Sequence, residues 1–334
     1  MVGLPRQCRR QAAALWQLRQ GPRHHLPGLL TKPARRHHKV PQFYLRRFAD
    51  ADGRLMAVDM EEGRWYLTTV RNAAAEQDFY TIELDGKRSD LAEKALGGIE
   101  AKVSPAFARI DEGMWPPDLD VRTGLVNFLA LQMVRGGDWR EQIRSAEEEA
   151  IIKKLAPVAS DPRALRDAVE SVTSQRLGKS QIRALQSSLA DGVVPVDFPT
   201  GFLVNKMFER GARLVDLLAR MTMQLVEAES GFFWTSDTPV YFDGEYDFDH
   251  ASRQVKVKRF EVTMPLDPTH SIVLLTPSAR GEVKRRVGEA TVREWNRRLA
   301  GITERRLYAR PDTVELDRRG GSLRDLQTSE VAER

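Results

Sequence analysis

The chain has 334 residues, 41% hydrophobic and 30% charged, a length and balance that exclude a stapled miniprotein, a collagen-like chain and a wholly disordered one. Its 52 Lys and Arg against 47 Asp and Glu give a net charge of +5, but the excess is local. Residues 1–36 hold eight Lys or Arg and no acid; with those set aside, 44 basic residues face 47 acidic ones and the body from His37 carries −3.

A body of that charge has no overall field to draw in nucleic acid, so anion recognition must be local, around Arg135 or Arg46 and Arg47. Cys8 is the only cysteine, which excludes an intramolecular disulfide and cysteine-based zinc or iron–sulfur sites and suits a reducing cytoplasm. The longest nearly apolar run, Leu125–Val134, has ten residues where a membrane span needs about 20, so no membrane partner is expected. Residues 1–36 read as a disordered basic arm, a targeting segment spoiled by Pro5, Pro22, Pro27 and Pro33, or an overextended start.

From His37 onward, Pro41 sits where a helix begins, and Phe43, Tyr44, Leu45 and Phe48 supply apolar contacts. RLMAVDM and RWYLTTV flank Glu61–Gly63 as a β-hairpin, with DFYTIEL as a third strand. Helical spacing runs from Asp90 to Ile110, and again from Leu119 to Arg135, where apolar residues on nearly all sides predict a buried helix. Gly136 and Gly137 stop it. Asp138 and Glu141 fit a capping box for a helix to about Leu155. Further helices are expected after Asp161-Pro162, over Gln181–Leu189 and over Phe202–Glu229. Strands return at Phe232–Ser236, Glu261–Pro265 and Ser271–Leu275, before a last helix over Arg280–Leu299 and a short strand at Arg306–Ala309. Strands at both ends of a helical middle predict an α+β fold: one domain over about 37–310, its mostly antiparallel sheet built from N- and C-terminal strands, with helices inserted at about 88–229. Residues 311–334 read as a flexible charged tail.

No G-x-G-x-x-G, P-loop, H-E-x-x-H or nucleophile elbow is present. What stands out are polar residues in apolar surroundings. Gln132 and Arg135 share one side of the buried helix, and a buried guanidinium needs an anionic partner, either a protein carboxylate or a bound carboxylate or phosphate. His37 and His38 adjoin in an extended segment and so point opposite ways; either a surface pair, or one is a metal ligand or general base. Glu76 and Asp78 have strand-like i, i+2 spacing, either as solvated charges or as a pair held by a cation or proton. Ser236 and Asp237 end an apolar strand before a Pro-containing turn, where Asp237 is a turn former or a metal or general-base carboxylate. The alternating acids of YFDGEYDFDH lack the residues of an EF-hand and read as a solvated hairpin. Arg35, Arg36, Lys39, Arg46 and Arg47, interleaved with Phe43 and Tyr44, resemble a nucleic-acid patch or an amphipathic face.

In order, HHKVPQFYLRRF, NAAAEQDFYTIE, IEAKVSPAF, FLALQMVR, FFWTSDTPV, VTMPLDP and WNRRL…RRLYAR resemble the bacterial family known as domain of unknown function 4238, over roughly residues 36–310. The resemblance places its motif residues on His37 or His38, Pro41, Tyr44, Glu76, Tyr80, Glu100, Gln132, Arg135, Ser236, Asp237 and Asn296. It departs at Gly136-Gly137, where the family more often has a Thr-Pro-like turn. The family brings no known chemistry. On these residues the expectation is one pocket. His37 or His38 with Glu76, Asp78 and Asp237 would bind a divalent metal, with His38 and Asp237 the candidate ligands, or perform acid–base work. Gln132, Arg135 and Ser236 would hold an anionic small molecule or nucleic acid. That describes a hydrolase, of metal-dependent phosphodiesterase or nuclease type; the alternative is a non-catalytic sensor or interaction module in which the same residues form a structural polar network.

Overall fold

The computed structural model describes residues 36–77, 79–84, 87–89, 91–136, 139–173, 176–192, 198–249, 254–276 and 281–314; the basic arm, most of the charged tail, Asp78 and Asp138 lie outside them. Two compact units emerge, residues 138–207 and the two segments that flank them.

The smaller unit is helical. Helices α4 (Trp139–Leu155), α5 (Pro162–Thr173) and α6 (Lys179–Ala190) bury Leu155, Leu165, Val169, Ile182, Leu185 and Leu189 together. Those residues recur at three- and four-residue spacing along α5 and α6, which is what gives each helix one apolar stripe.

The larger unit is α+β. Strands β2 (Arg54–Asp59) and β3 (Arg64–Thr69) form the expected hairpin. Strand β13 (Arg306–Ala309) pairs with β2, and β8 (Thr235–Ser236) pairs with β13, so N- and C-terminal strands share a four-stranded antiparallel sheet in the order β3-β2-β13-β8. A five-stranded sheet runs β12 (Lys284–Val287), β7 (Thr222–Ala228), β11 (His270–Leu275), β10 (Gln254–Pro265), β9 (Tyr241–Asp249). It is antiparallel except between β12 and β7. Two short pairs complete the strands: β1 (Arg36–His38) with β4 (Ala75–Gln77), and β5 (Ile82–Leu84) with β6 (Lys87–Ser89).

Alternation along the strands separates two cores. Met223, Leu225, Val262, Met264, Ile272 and Leu274 face one way, against Tyr44 of α1 (Gln42–Leu45), Phe107 of α2 (Leu91–Asp111) and Phe128 of α3 (Leu119–Arg135). Val226, Tyr241 and Val273 face the other way, against Val292, Trp295 and Leu299 of α8 (Glu289–Ile302) and against Val58 and Leu307 of the four-stranded sheet. Helix α3 is buried on nearly all sides, and Asp118 caps it by accepting from the Val121 amide at 2.9 Å. It crosses α2 so closely that a Cβ on Gly124 would come within 2.8 Å of Ala106 Cβ.

Two expectations require correction. The helix over Phe202–Glu229 ends early: α7 covers Thr200–Leu218, and Thr222–Ala228 is strand β7. A strand buried on both faces reads as an unbroken apolar run that fits either periodicity. Likewise Lys284–Val287 is a strand, and the last helix starts only at Glu289.

Arg47 is drawn into the fold. It forks onto Asp111 with two bonds of 2.6 Å, donates to the Leu266 carbonyl at 2.7 Å and reaches Asp267 at 3.1 Å. Asp267 also accepts from the Thr269 and His270 amides at 2.7 and 2.8 Å, so one carboxylate fastens the β10–β11 turn to Arg47. Burial would raise its carboxyl, but His270 and Thr269 hold it down at about 2. A depressed acid stabilises the fold above its unfolded value near 4, and that contribution is lost as pH falls through 2. His270, raised by the same contact, behaves oppositely, losing its contribution as pH rises past its folded value. In urea unfolding at pH 7, Asp267→Asn should cost about 2 kcal/mol, and the gap from wild type should close between pH 4 and 2.

Candidate functional site

The segment His37–Lys39 enters the larger unit as an extended strand, and successive side chains diverge. His37 faces inward, fully buried, its ring 5.9 Å from that of Tyr80 and nearly parallel to it. Its Nδ1 accepts from the Tyr80 amide at 2.7 Å, so the neutral imidazole carries its proton on Nε2. His38 turns the other way, with Nε2 3.2 Å from the Arg71 carbonyl.

Arg135, at the last turn of α3, is 2% exposed. Its Nε donates to Tyr80 Oη at 2.8 Å, Nη1 to Glu100 Oε1 at 2.5 Å, and Nη2 to the His38 carbonyl at 2.5 Å. Burial pulls its pKa down, but Tyr80 and Glu100 more than compensate and the guanidinium stays charged. Its anionic partner is therefore a carboxylate of α2.

Lys39 is the residue that sequence reasoning placed only in a basic patch. Its ammonium lies 2.9 Å from Glu76 Oε2, 3.0 Å from Glu304 Oε2 and 4.8 Å from the centre of the Phe79 ring. Burial lowers its pKa, and the two carboxylates raise it further than burial lowers it. Neither Lys39 nor Glu304 carried a sequence signal, because both sit in stretches crowded with other charges.

Asp237 follows β8 and is 6% exposed. Its Oδ2 accepts from the Arg305 and Arg306 amides at 3.1 and 3.0 Å, and its own amide donates to the Arg306 carbonyl. Burial and the neighbouring Glu304 carboxylate push it up to about 6, against the opposing pull of Lys39 and the two amides. Ser236 is fully buried, and its Oγ accepts from the Thr238 amide at 3.0 Å, a turn-forming bond rather than an activated nucleophile. Asn296 clasps the approach to β8, bonding the Trp234 amide and the Phe232 carbonyl at 3.0 and 2.9 Å. Gln132 is 2% exposed, and its Nε2 has no hydrogen-bond partner among the described residues.

These groups meet at one seam. The His38 carbonyl is tied to Arg135, the adjacent Lys39 to Glu76 and Glu304, and the Glu304 amide to Thr238 Oγ1 at 3.3 Å. Gly136 closes the circuit: a Cβ there would overlap Thr238 Cγ2, so the end of α3 lies against the residue after Asp237. Ala74 is bonded to Lys39 at this seam, and its φ of 47° is strained for a side chain with a Cβ. Bonds from its amide to Tyr308 Oη and from the Lys39 amide to its carbonyl, both 2.8 Å, keep it there. Contacts thus link Arg135 to the His38 carbonyl, and Lys39 to Glu76, Glu304 and the turn that holds Ser236 and Asp237, while the His37 ring is turned to Tyr80 and the His38 ring to the Arg71 carbonyl; Asp78 lies outside the described residues. Among the described residues no group of three or more His, Cys, Asp or Glu could hold a metal ion.

Removing one member of a buried ion pair strands the other. Arg135→Ala should therefore lower the unfolding free energy by about 3–5 kcal/mol, read from urea denaturation, and Glu100→Gln, which leaves the buried guanidinium without its carboxylate, should also destabilise the fold.

Among the described residues no helix is long and apolar enough to cross a membrane. No curated protein and no solved structure matches the chain. A family model described as a protein of unknown function, DUF4238, matches residues 36–313. With most of its length matched in this way, the chain belongs to the DUF4238 family.

Proposed function

We propose that the chain is a hydrolase in which Asp237 is the general acid–base, working in the reducing cytoplasm that a single cysteine suits. One observation carries this reading: a buried carboxyl, fixed by two backbone amides, stands beside Glu304 and Lys39 and is held at about 6. A group that moves protons near neutral pH needs such a value, and burial beside a like charge is how proteins produce it. Lys39 and Arg135 act as positioning residues, one aligning Glu76 and Glu304, the other anchoring β1 on α3.

The second reading, a sensor or interaction module with a structural polar network, is favoured by Arg135 and Lys39, whose charges are both matched by protein carboxylates. The readings separate at Asp237. Its amide-bonded Oδ2 survives in Asp237→Asn as a carbonyl oxygen, so the variant should fold. An acid raised in the folded state stabilises the fold below its unfolded value near 4, and that contribution is lost as pH rises through about 6. Asp237→Asn should therefore be more stable than wild type at pH 7.5 by about 1–2 kcal/mol.

As a hydrolase, the wild type should cleave at least one of a set of chromogenic esters, amides, glycosides and phosphodiesters, with a rate that changes through pH 6. Asp237→Asn should lose about 10²-fold or more. Equal rates in both proteins, or no turnover by either, would favour the structural network.

A further inference from the structure

A sheet edge is a row of unmade backbone hydrogen bonds, and folded chains blunt such edges with charge, proline, bulges or brevity. Three of the four edges of the two larger sheets are blunted in this way. Strand β12 is Lys284-Arg285-Arg286-Val287, every second residue of β9 from Asp243 to Asp249 is acidic, and β8 has two residues. Strand β3 is the exception. Its six residues, Arg64–Thr69, pair with β2 in unbroken register and include no proline. They carry one charge, that of Arg64, which Glu62 matches at 3.0 Å.

The register shows which groups this edge presents. Val70 donates to the Gly53 carbonyl, in step with the pairing of β3 and β2. Alternation then turns the peptide groups of Arg64, Tyr66 and Thr68 toward β2. Those of Trp65 and Leu67, and the Thr69 amide, point outward, and among the described residues nothing bonds to them. The Leu67 side chain stands beside them, 55% exposed.

Such an edge is complementary to itself. With a two-fold axis at Leu67, the Leu67 amide of each copy reaches the Leu67 carbonyl of the other, and each Thr69 amide reaches the other copy's Trp65 carbonyl. Arg64 then lies opposite Val70, so no like charges face each other across the axis. Glu61, just before β3, and Arg71, just after it, are both exposed and in no ion pair among the described residues. Antiparallel pairing carries the Glu61 end of one copy to the Arg71 end of the other. The two terminal segments offer no such match in sequence: Pro5, Pro22, Pro27 and Pro33 interrupt residues 1–35, and residues 315–334 contain no aromatic residue.

We propose that β3 is a self-association surface, on which a second copy of the chain lays its own β3 antiparallel. The two four-stranded sheets then join into one of eight strands, and each exposed Leu67 is covered by its counterpart. A strand edge with its flanking side chains is a small contact, so the association is weak and concentration-dependent. It stands independently of the hydrolase reading.

Sedimentation velocity of the full chain over about 1–100 µM should show a monomer–dimer equilibrium, the larger species having twice the 37.9 kDa of one chain. Leu67→Lys and Leu67→Glu change an exposed side chain and leave the bonds to β2 in place. Each should weaken the dimer about fivefold or more, by setting like charges opposite one another on the axis. An equimolar mixture of the two variants should restore it, because residue 67 faces itself in this register. A wild type that stays monomeric, whether β3 is covered by another segment of the chain or takes a foreign strand, would overturn the proposal. So would a dimer that survives both substitutions, or a mixture that fails to associate.

Discussion

The fold around the site depends on one buried guanidinium. Arg135 lies at the end of a helix already buried on nearly all sides, and it is there that strand β1, helix α2 and the Tyr80 loop have to be brought to a common point. A charge in that position is tolerated only with a carboxylate and additional acceptors around it, and Glu100, Tyr80 and the His38 carbonyl provide them. Because the third acceptor is the backbone of β1, the pairing also fixes where Lys39 begins. Lys39 in turn fixes Glu76 and Glu304, and the chain after Glu304 donates its amides to Asp237. The site is the outer end of a series of contacts whose inner end is Arg135.

Much of this was readable from the sequence, and for physical reasons. A helix apolar on nearly every side has to be buried, so Gln132 and Arg135 stood out as polar residues that could not be at the surface. Adjacent histidines in an extended segment had to diverge, and His37 and His38 do. Other elements were not readable. Strand β7 buries Met223 and Leu225 on one face and Gln224 and Val226 on the other, so its apolar residues show no alternation and were absorbed into the preceding helix. Lys39 and Glu304 lie 265 residues apart, and nothing local distinguishes them from the other charges nearby. Only the pairing of β1 with β4 and the turn from α8 into β13 bring them together. The same holds for Ala74, whose left-handed conformation is imposed by bonds to distant Lys39 and Tyr308.

The site opposes the stability of the fold around it. Asp237 is buried beside a second carboxylate, with one shared ammonium nearby, and among the described residues the Gln132 amide donor is unmatched. A structural network built for strength would match these groups, as it does for Arg135 and for Arg47 with Asp111 and Asp267. A buried charge held at a cost is where local rules yield to function, and the raised carboxyl of Asp237 beside Glu304 is the reason for locating the chemistry there and not at the arginines that carboxylates match.

The most direct measurement is the titration of the Asp237 carboxyl carbon by 13C NMR in the full chain, assigned by its absence in Asp237→Asn. A midpoint near pH 6, moving upward in Lys39→Met and downward in Glu304→Gln, is the predicted result. A midpoint near 4 that neither substitution moves would show that Asp237 is an ordinary turn-forming carboxylate and would contradict the account.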